Sequence, residues 1–182
     1  MKNKDSCFDE KMDTSVDLKI NEDLKDFSQP YSRRDIRSLA FHLIYAVDRF
    51  NYEASLDSIV DNFRRGYDVE IPDDSYAIDI AKGVIEQREE LDKKIIPLLK
   101  NWKLERLGVC THLILRMALW ELTQPKAVPS IIINEAIELS KAFAEKDAYR
   151  FINGILDEAC KAYGLGEEES KDSDKDLDED EK

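Results

Sequence analysis

From Arg33 to Tyr163, apolar residues recur at intervals of three and four, the spacing that puts one helical face into a core. The first stripe is Ile36, Leu39, Ala40, Leu43, Ile44 and Val47, which predicts a helix over about residues 33–50. Ser32 stands at its N-cap position with Asp35 three residues on, a weak form of the capping box in which two side chains satisfy two orphan N–H groups. A second helix is predicted over about Leu56–Arg65, stopped by Gly66, and the following GYDVEIPDD reads as a loop. A third begins at Asp73 or Asp74, where acids suit the positive end of the helix dipole, and runs to about Arg88. A fourth reaches about Lys100, its last turn bent or shortened by Pro97, which has no N–H to donate.

The segment from Lys103 to Leu122 departs from the one-faced pattern. Its residues 113–120, LILRMALW, are apolar nearly all round, so this helix should be the buried centre of the domain. Pro125 and Pro129 then mark a turn. A helix follows from Ser130 to about Glu145, with Ile132, Ile133, Ala136, Ile137, Ser140 and Phe143 on its inner face. The last runs from about Asp147 to Tyr163 on a stripe of Ala148, Ile152, Ile155, Leu156 and Ala159, and Gly164 ends it. No useful length of alternating residues suggests a strand and no fixed-period repeat is present, so the fold class is all-α.

Charge separates the ends of the 182-residue chain from its middle. The formal net charge is −13, but residues 1–30 hold eight acids against five lysines, and residues 167–182 hold ten against three. The remainder, with 19 basic and 22 acidic side chains, is nearly balanced, so overall acidity excludes only a diffuse basic coat and not a nucleic-acid ligand. Residues 1–31 read as an acidic extension without stable order, with a short helix near Val16–Ile20 as its one candidate element. Residues 32–164 read as the folded domain, and 165–182 as an acidic tail too poor in apolar residues to order itself. That tail is either solubilising or an RNA mimic that competes for basic residues. Three distant cysteines, Cys7, Cys110 and Cys160, suggest free thiols in a reducing compartment. With no apolar run of membrane length and an N-terminus too acidic for a targeting peptide, the expected location is cytoplasmic.

Arg33, Arg34 and Arg37 crowd the first turns of the first helix, where cations oppose the helix dipole. Their spacing of three and four puts them on one side, read as solvent-facing. Guanidinium forks suit phosphate, so the cluster is either a solvated helix start or a site for an anionic ligand such as RNA. Arg116, inside the apolar helix, needs an acid, for which Glu121 and Glu135 are candidates. Asn134 and Asn153 should cap or bridge backbone groups, and Gly154 should let another helix approach closely, an Asn–Gly turn being the alternative. Phe151, at the edge of its stripe, is either core or a base-stacking platform, with Tyr149 and Arg150 more exposed. His42 and His112 have no ligand-spaced cysteines, paired acids such as Glu89–Glu90 look like exposed helix charge, and no phosphate-cradling or nucleophile-elbow motif occurs. These features describe a binding protein with no catalytic residues, metal or cofactor.

Four segments, RRDIRSLAFHLIYAVD, ERLGVCTHLILRMALWEL, VPSIIINEAIELSKAF and DAYRFINGILDEA, together resemble the NusB family of transcription antitermination factors over about residues 32–163. The resemblance implies about seven helices in two packed helical bundles. It also implies binding of boxA-type single-stranded RNA together with the ribosomal protein NusE, within an antitermination complex on RNA polymerase that serves ribosomal RNA operons. Arg33, Arg34 and Arg37 match the family's arginine-rich RNA-binding start, although Asp35 stands where more basic members carry another arginine, which implies weaker RNA binding. Asp147 and Phe151 match a second RNA-facing region. Tyr45, Glu105, Arg106 and Thr111 match the protein-partner surface, with Thr111 where some relatives place an acid; read from its own stripe, Tyr45 is core. Two other readings stay open. One is an accessory RNA-binding domain like that of ribosomal RNA cytosine methyltransferases, for which the acidic stretch of sixteen residues after the domain is expected to leave no room for a catalytic module. The other is a helical protein-interaction scaffold whose arginines hold an acidic partner.

Overall fold

The computed structural model of the chain describes residues 32–67, 69–100 and 102–165. The predicted helix near Val16–Ile20 and the acidic tail from 167 lie outside them. Among the described residues there are seven α-helices and no strand: α1 (Arg33–Arg49), α2 (Leu56–Tyr67), α3 (Tyr76–Glu86), α4 (Arg88–Ile95), α5 (Val109–Leu122), α6 (Pro129–Phe143) and α7 (Ala148–Tyr163). Short 3-10 turns cover Ile96–Leu99, where Pro97 tightens the chain as expected, and Leu104–Arg106. The chain forms two compact units, one ending at Lys82 and one beginning at Gly83.

In the first unit, α1 starts with both halves of the capping box in place. The Ser32 N–H donates to Asp35 Oδ2 at 2.9 Å, and Ser32 Oγ accepts from the Asp35 N–H at 3.2 Å. The predicted stripe is buried from Leu39 onward, but so are Phe41, His42 and Ala46, which widens the covered arc well beyond one stripe. α2 packs on α1 through a face that includes Ile59, Val60 and Phe63, and it continues past Gly66 to Tyr67 instead of stopping there. Arg64 fastens the loop that follows: its guanidinium donates to the Ile71 carbonyl and to Asp73 Oδ1 at 2.6 Å. α3 begins at Tyr76, later than predicted. Pro72–Ser75 closes a turn, with the Ser75 N–H donating to the Pro72 carbonyl at 3.0 Å, and this holds Asp73 and Asp74 outside the helix.

In the second unit α5 is the central helix, buried nearly all round from Leu113 to Leu122 and packed against α4, α6 and α7. Gly83 allows the Trp120 indole to lie against α3, since a Cβ there would overlap the ring. Arg116 finds its carboxylate on α4 and not at the sequence candidates Glu121 or Glu135. Its Nε donates to Asp92 Oδ1 at 2.8 Å and its second terminal nitrogen to Oδ2 at 2.6 Å. His112 Nε2 lies 2.6 Å from the same Oδ1. Burial alone would push the Asp92 carboxyl up, but the hydrogen bonds from Arg116 and His112 outweigh it and hold the group down at about 2. Gly154 corrects a second expectation: it is exposed, and among the described residues nothing lies within 4 Å of where its Cβ would stand, so none of the seven helices approaches it. Asn153 bonds along its own helix, donating to Asp157 Oδ2 at 3.1 Å, instead of capping a backbone group.

Candidate nucleic-acid interface

At the start of α1, Arg33 and Arg34 are exposed, as the sequence suggested. Arg37 is not: it keeps only 7% of its surface and its guanidinium reaches back toward the Arg33 carbonyl at 3.4 Å. The physical reason lies in the width of the buried arc. Position 37 sits three and four residues before Ala40 and Phe41, both fully covered, so it lies a turn further into the covered length of α1, while Arg33 stands at the open helix end. The exposed cluster is therefore two arginines rather than three. Asp35, which looked like a dilution of the basic patch, is committed to the capping box. Arg33 has no ion pair among the described residues, and it stands where the dipole disfavours a cation.

The second candidate region lies at the start of α7. Asp147 is its exposed N-cap residue, in the left-handed region at φ 66°, ψ 3°, and its side chain makes no capping bond. Its carboxylate lies 4.0 Å from Arg150. Phe151 is half-buried, so neither of its two sequence readings, core or open platform, describes it fully. Its ring meets that of Trp102, centroids 6.1 Å apart and planes at 58°. Tyr149, two residues before Phe151 and so directed to another side of the helix, carries Arg150 and Lys141 over its ring, each at 5.6 Å. The Arg150 Nε also donates to the Tyr149 hydroxyl at 3.0 Å.

Trp102 is the residue that sequence reasoning missed. It belongs to no apolar period and lies between a 3-10 turn and the approach to α5, which is why no stripe picked it up. It is 57% exposed, more than any other large apolar side chain described. The usable signal was its setting: a tryptophan in the polar stretch KNWK, where burial cannot be its purpose.

The residues matched to a protein partner are not alike. Glu105 and Arg106 are exposed on the 3-10 turn before α5. Tyr45, on α1, is half-buried, with its ring 6.2 Å from that of Phe41, so it is neither fully core nor fully open. Thr111 is 4% exposed, so it does not itself present a surface; its Oγ1 donates to Glu145 Oε2 at 2.6 Å. The Glu145 carboxylate occupies the space a Cβ on Gly108 would need, at the N-terminus of α5. An acid thus stands beside Thr111 after all, supplied from the α6–α7 connection, where the helix dipole favours it. Among the described residues no group of three or more His, Cys, Asp or Glu could hold a metal ion, Cys110 and Cys160 form no disulfide, and no helix is long and apolar enough to cross a membrane.

The described residues form an all-helical domain that displays basic and aromatic groups, and comparison with known proteins specifies its kind. The profile of the NusB family matches residues 34–161, and the chain belongs to that family. The transcription antitermination protein NusB of Macrococcus caseolyticus is 37% identical over 131 residues, which cover 71% of this chain and 97% of the relative. That of Staphylococcus carnosus is 38% identical over 126 residues, covering 69% and 96%. Among solved structures, T. maritima NusB superposes with a TM-score of 0.63 at 27% identity, covering 73% of this chain and 93% of the other. A chain in the crystal structure of a plectonemic RNA supercoil gives 0.62, also at 27% identity, covering 72% and 95%.

Proposed function

We propose that this protein is a non-catalytic antitermination factor that binds a boxA-type single-stranded RNA together with the ribosomal protein NusE. In this reading the assembly joins RNA polymerase in the cytoplasm and supports processive transcription of ribosomal RNA operons, with residues 32–164 as the binding domain. The observation that carries it is the exposed Arg33–Arg34 pair, set against the dipole of α1 in a chain of the NusB family. The dipole of α1 disfavours cations there, and a phosphate ligand suits their guanidinium forks. Arg33 and Arg34 would hold the RNA backbone, and the Asp147–Phe151 region would read unstacked bases, the usual target of sequence-selective RNA recognition. Glu105, Arg106, Tyr45 and the Thr111–Glu145 pair would face NusE.

The test is a titration of labelled boxA-type RNA and a scrambled control, with and without NusE, on the parent chain and on Arg33→Ala/Arg34→Ala. Selective binding that NusE strengthens and the double variant loses is the expected result. Absence of selective binding even with NusE present would sink the reading and leave a helical protein-interaction scaffold.

A further inference from the structure

Trp102 and Phe151 form a small aromatic platform whose two members differ in access. Phe151 is half-buried at the first turn of α7, while Trp102 keeps more than half its surface in water. With centroids 6.1 Å apart and planes tilted by 58°, the rings leave no slot between them. A base sandwiched by two rings needs two carbon contact distances, about 7–8 Å in all, and near-parallel walls. What this arrangement offers is an indole with more than half its surface in water and a phenyl ring set against it at a tilt.

The backbone that carries the indole is also held in place. The Trp102 backbone N–H donates to the Leu99 carbonyl at 2.6 Å. Two residues before Trp102, Lys100 adopts φ 35°, ψ −71°, a strained conformation for a residue with a Cβ, of the kind that persists where the surroundings enforce it. Two lysines flank the tryptophan in sequence: Lys103 is exposed, and Lys100, mostly in water, lies 3.6 Å from Glu158. A single exposed ring between two lysines of the chain is poorly matched to an aliphatic helix face, which needs a broad apolar groove. It is well matched to a nucleobase whose phosphates lie close by.

We propose that Trp102 is the base-stacking residue of this surface, taking one unstacked base of a single-stranded RNA on its exposed ring, and that Phe151 acts mainly by positioning it. The inference rests on the RNA-binding reading above and moves the stacking role from Phe151 to Trp102.

The chain has two tryptophans, and the other, Trp120, is 7% exposed, so a change in emission on adding RNA reports Trp102. In the full-length protein, boxA-type RNA should quench that emission, and the quench should be absent in Trp102→Phe while binding is largely retained. Trp102→Ala should bind labelled RNA roughly five- to 150-fold more weakly, the range expected for one stacked base, with an unfolding midpoint like that of the parent. Phe151→Ala should weaken binding less and shift the emission of the free protein. An abasic RNA series should contain one position at which Trp102→Ala costs nothing further, identifying the stacked base. RNA that binds by anisotropy without quenching, and equally well to Trp102→Ala, would overturn this inference and leave the RNA reading standing. RNA that fails to bind the parent at all would overturn both. Quenching by NusE alone, with none by RNA, would assign the ring to a protein contact and also overturn the inference.

Discussion

Arg116 on α5 and Arg33 at the start of α1 are the same side chain on two helices, and their surroundings separate them. Arg116 is buried and spends its fork on both oxygens of Asp92, with His112 on the same carboxylate. Arg33 is exposed, unpaired with any described acid, and at the unfavourable end of a dipole. The first is what makes a polar group tolerable inside a core. The second has no ion pair among the described residues, and its exposed place against the dipole points outward to a ligand. Arg37 shows that adjacency in sequence does not decide between the two: four residues after Arg33, it has gone inside.

The largest effect should come from breaking the buried arrangement. Asp92→Ala leaves the Arg116 guanidinium enclosed without its carboxylate and should cost about 3–5 kcal/mol in denaturant unfolding. RNA affinity per folded molecule should stay as in the parent, since this cluster faces no ligand in our reading. A small cost would mean that Arg116 escapes to water and that its burial is not enforced.

The same carboxylate gives a pH signature. Its folded value of about 2 lies below the ordinary 3.8, so its contribution is fully present above the unfolded value and disappears as pH falls through the folded one. Between pH 5 and pH 2 this group alone should remove about 2 kcal/mol of stability. Stability curves for the parent and Asp92→Asn should therefore converge as the solution is acidified. Curves that stay parallel would show that Asp92 does not titrate with folding.

Next in size is the division within the arginine cluster. Arg37→Ala should lower stability by about 1 kcal/mol through poorer packing of its stem, and leave the salt dependence of RNA binding alone. Arg33→Ala/Arg34→Ala should do the converse. Its unfolding midpoint should stay put, while the slope of log affinity against log salt flattens by about 0.7 for each phosphate no longer neutralised. If Arg37→Ala flattened the slope as much, the burial of Arg37 would not be that of the RNA-bound protein.

The helices were legible because a core imposes a period, and α5 was legible because it lacks one. Ser32 and Asp35 announced the start of α1 by chemistry that acts over three residues, which sequence displays directly. What could not be read was whatever depends on a neighbour distant in the chain. Asp92 sits 24 residues from Arg116 in a helix that also carries Arg88, Glu89, Glu90, Lys93 and Lys94, so nothing marked it as the partner. Arg37 was misjudged because a single stripe understates the arc of a helix covered on several sides. Trp102 was missed because period-based reading attends to residues a core needs, and this one is not in the core.

A last prediction contrasts two glycines in helical segments, and its smallest expected effect is the gain at Gly154. At Gly83 a Cβ would overlap the Trp120 ring, so Gly83→Ala should destabilise by about 1–3 kcal/mol as the indole is displaced. At Gly154 a Cβ would meet nothing, and the residue sits inside α7 with ordinary helical geometry. Alanine there removes only the freedom of the unfolded chain, so Gly154→Ala should stabilise by about 1 kcal/mol. Both are read from denaturant midpoints at constant slope. Opposite signs are required, because the two positions share a residue type and differ only in what lies beyond the missing Cβ. A Gly154→Ala chain that unfolds no later than its parent would mean that something lies against that face of α7 in solution, and RNA titrated against the same variant would then show whether the ligand is what needs the room.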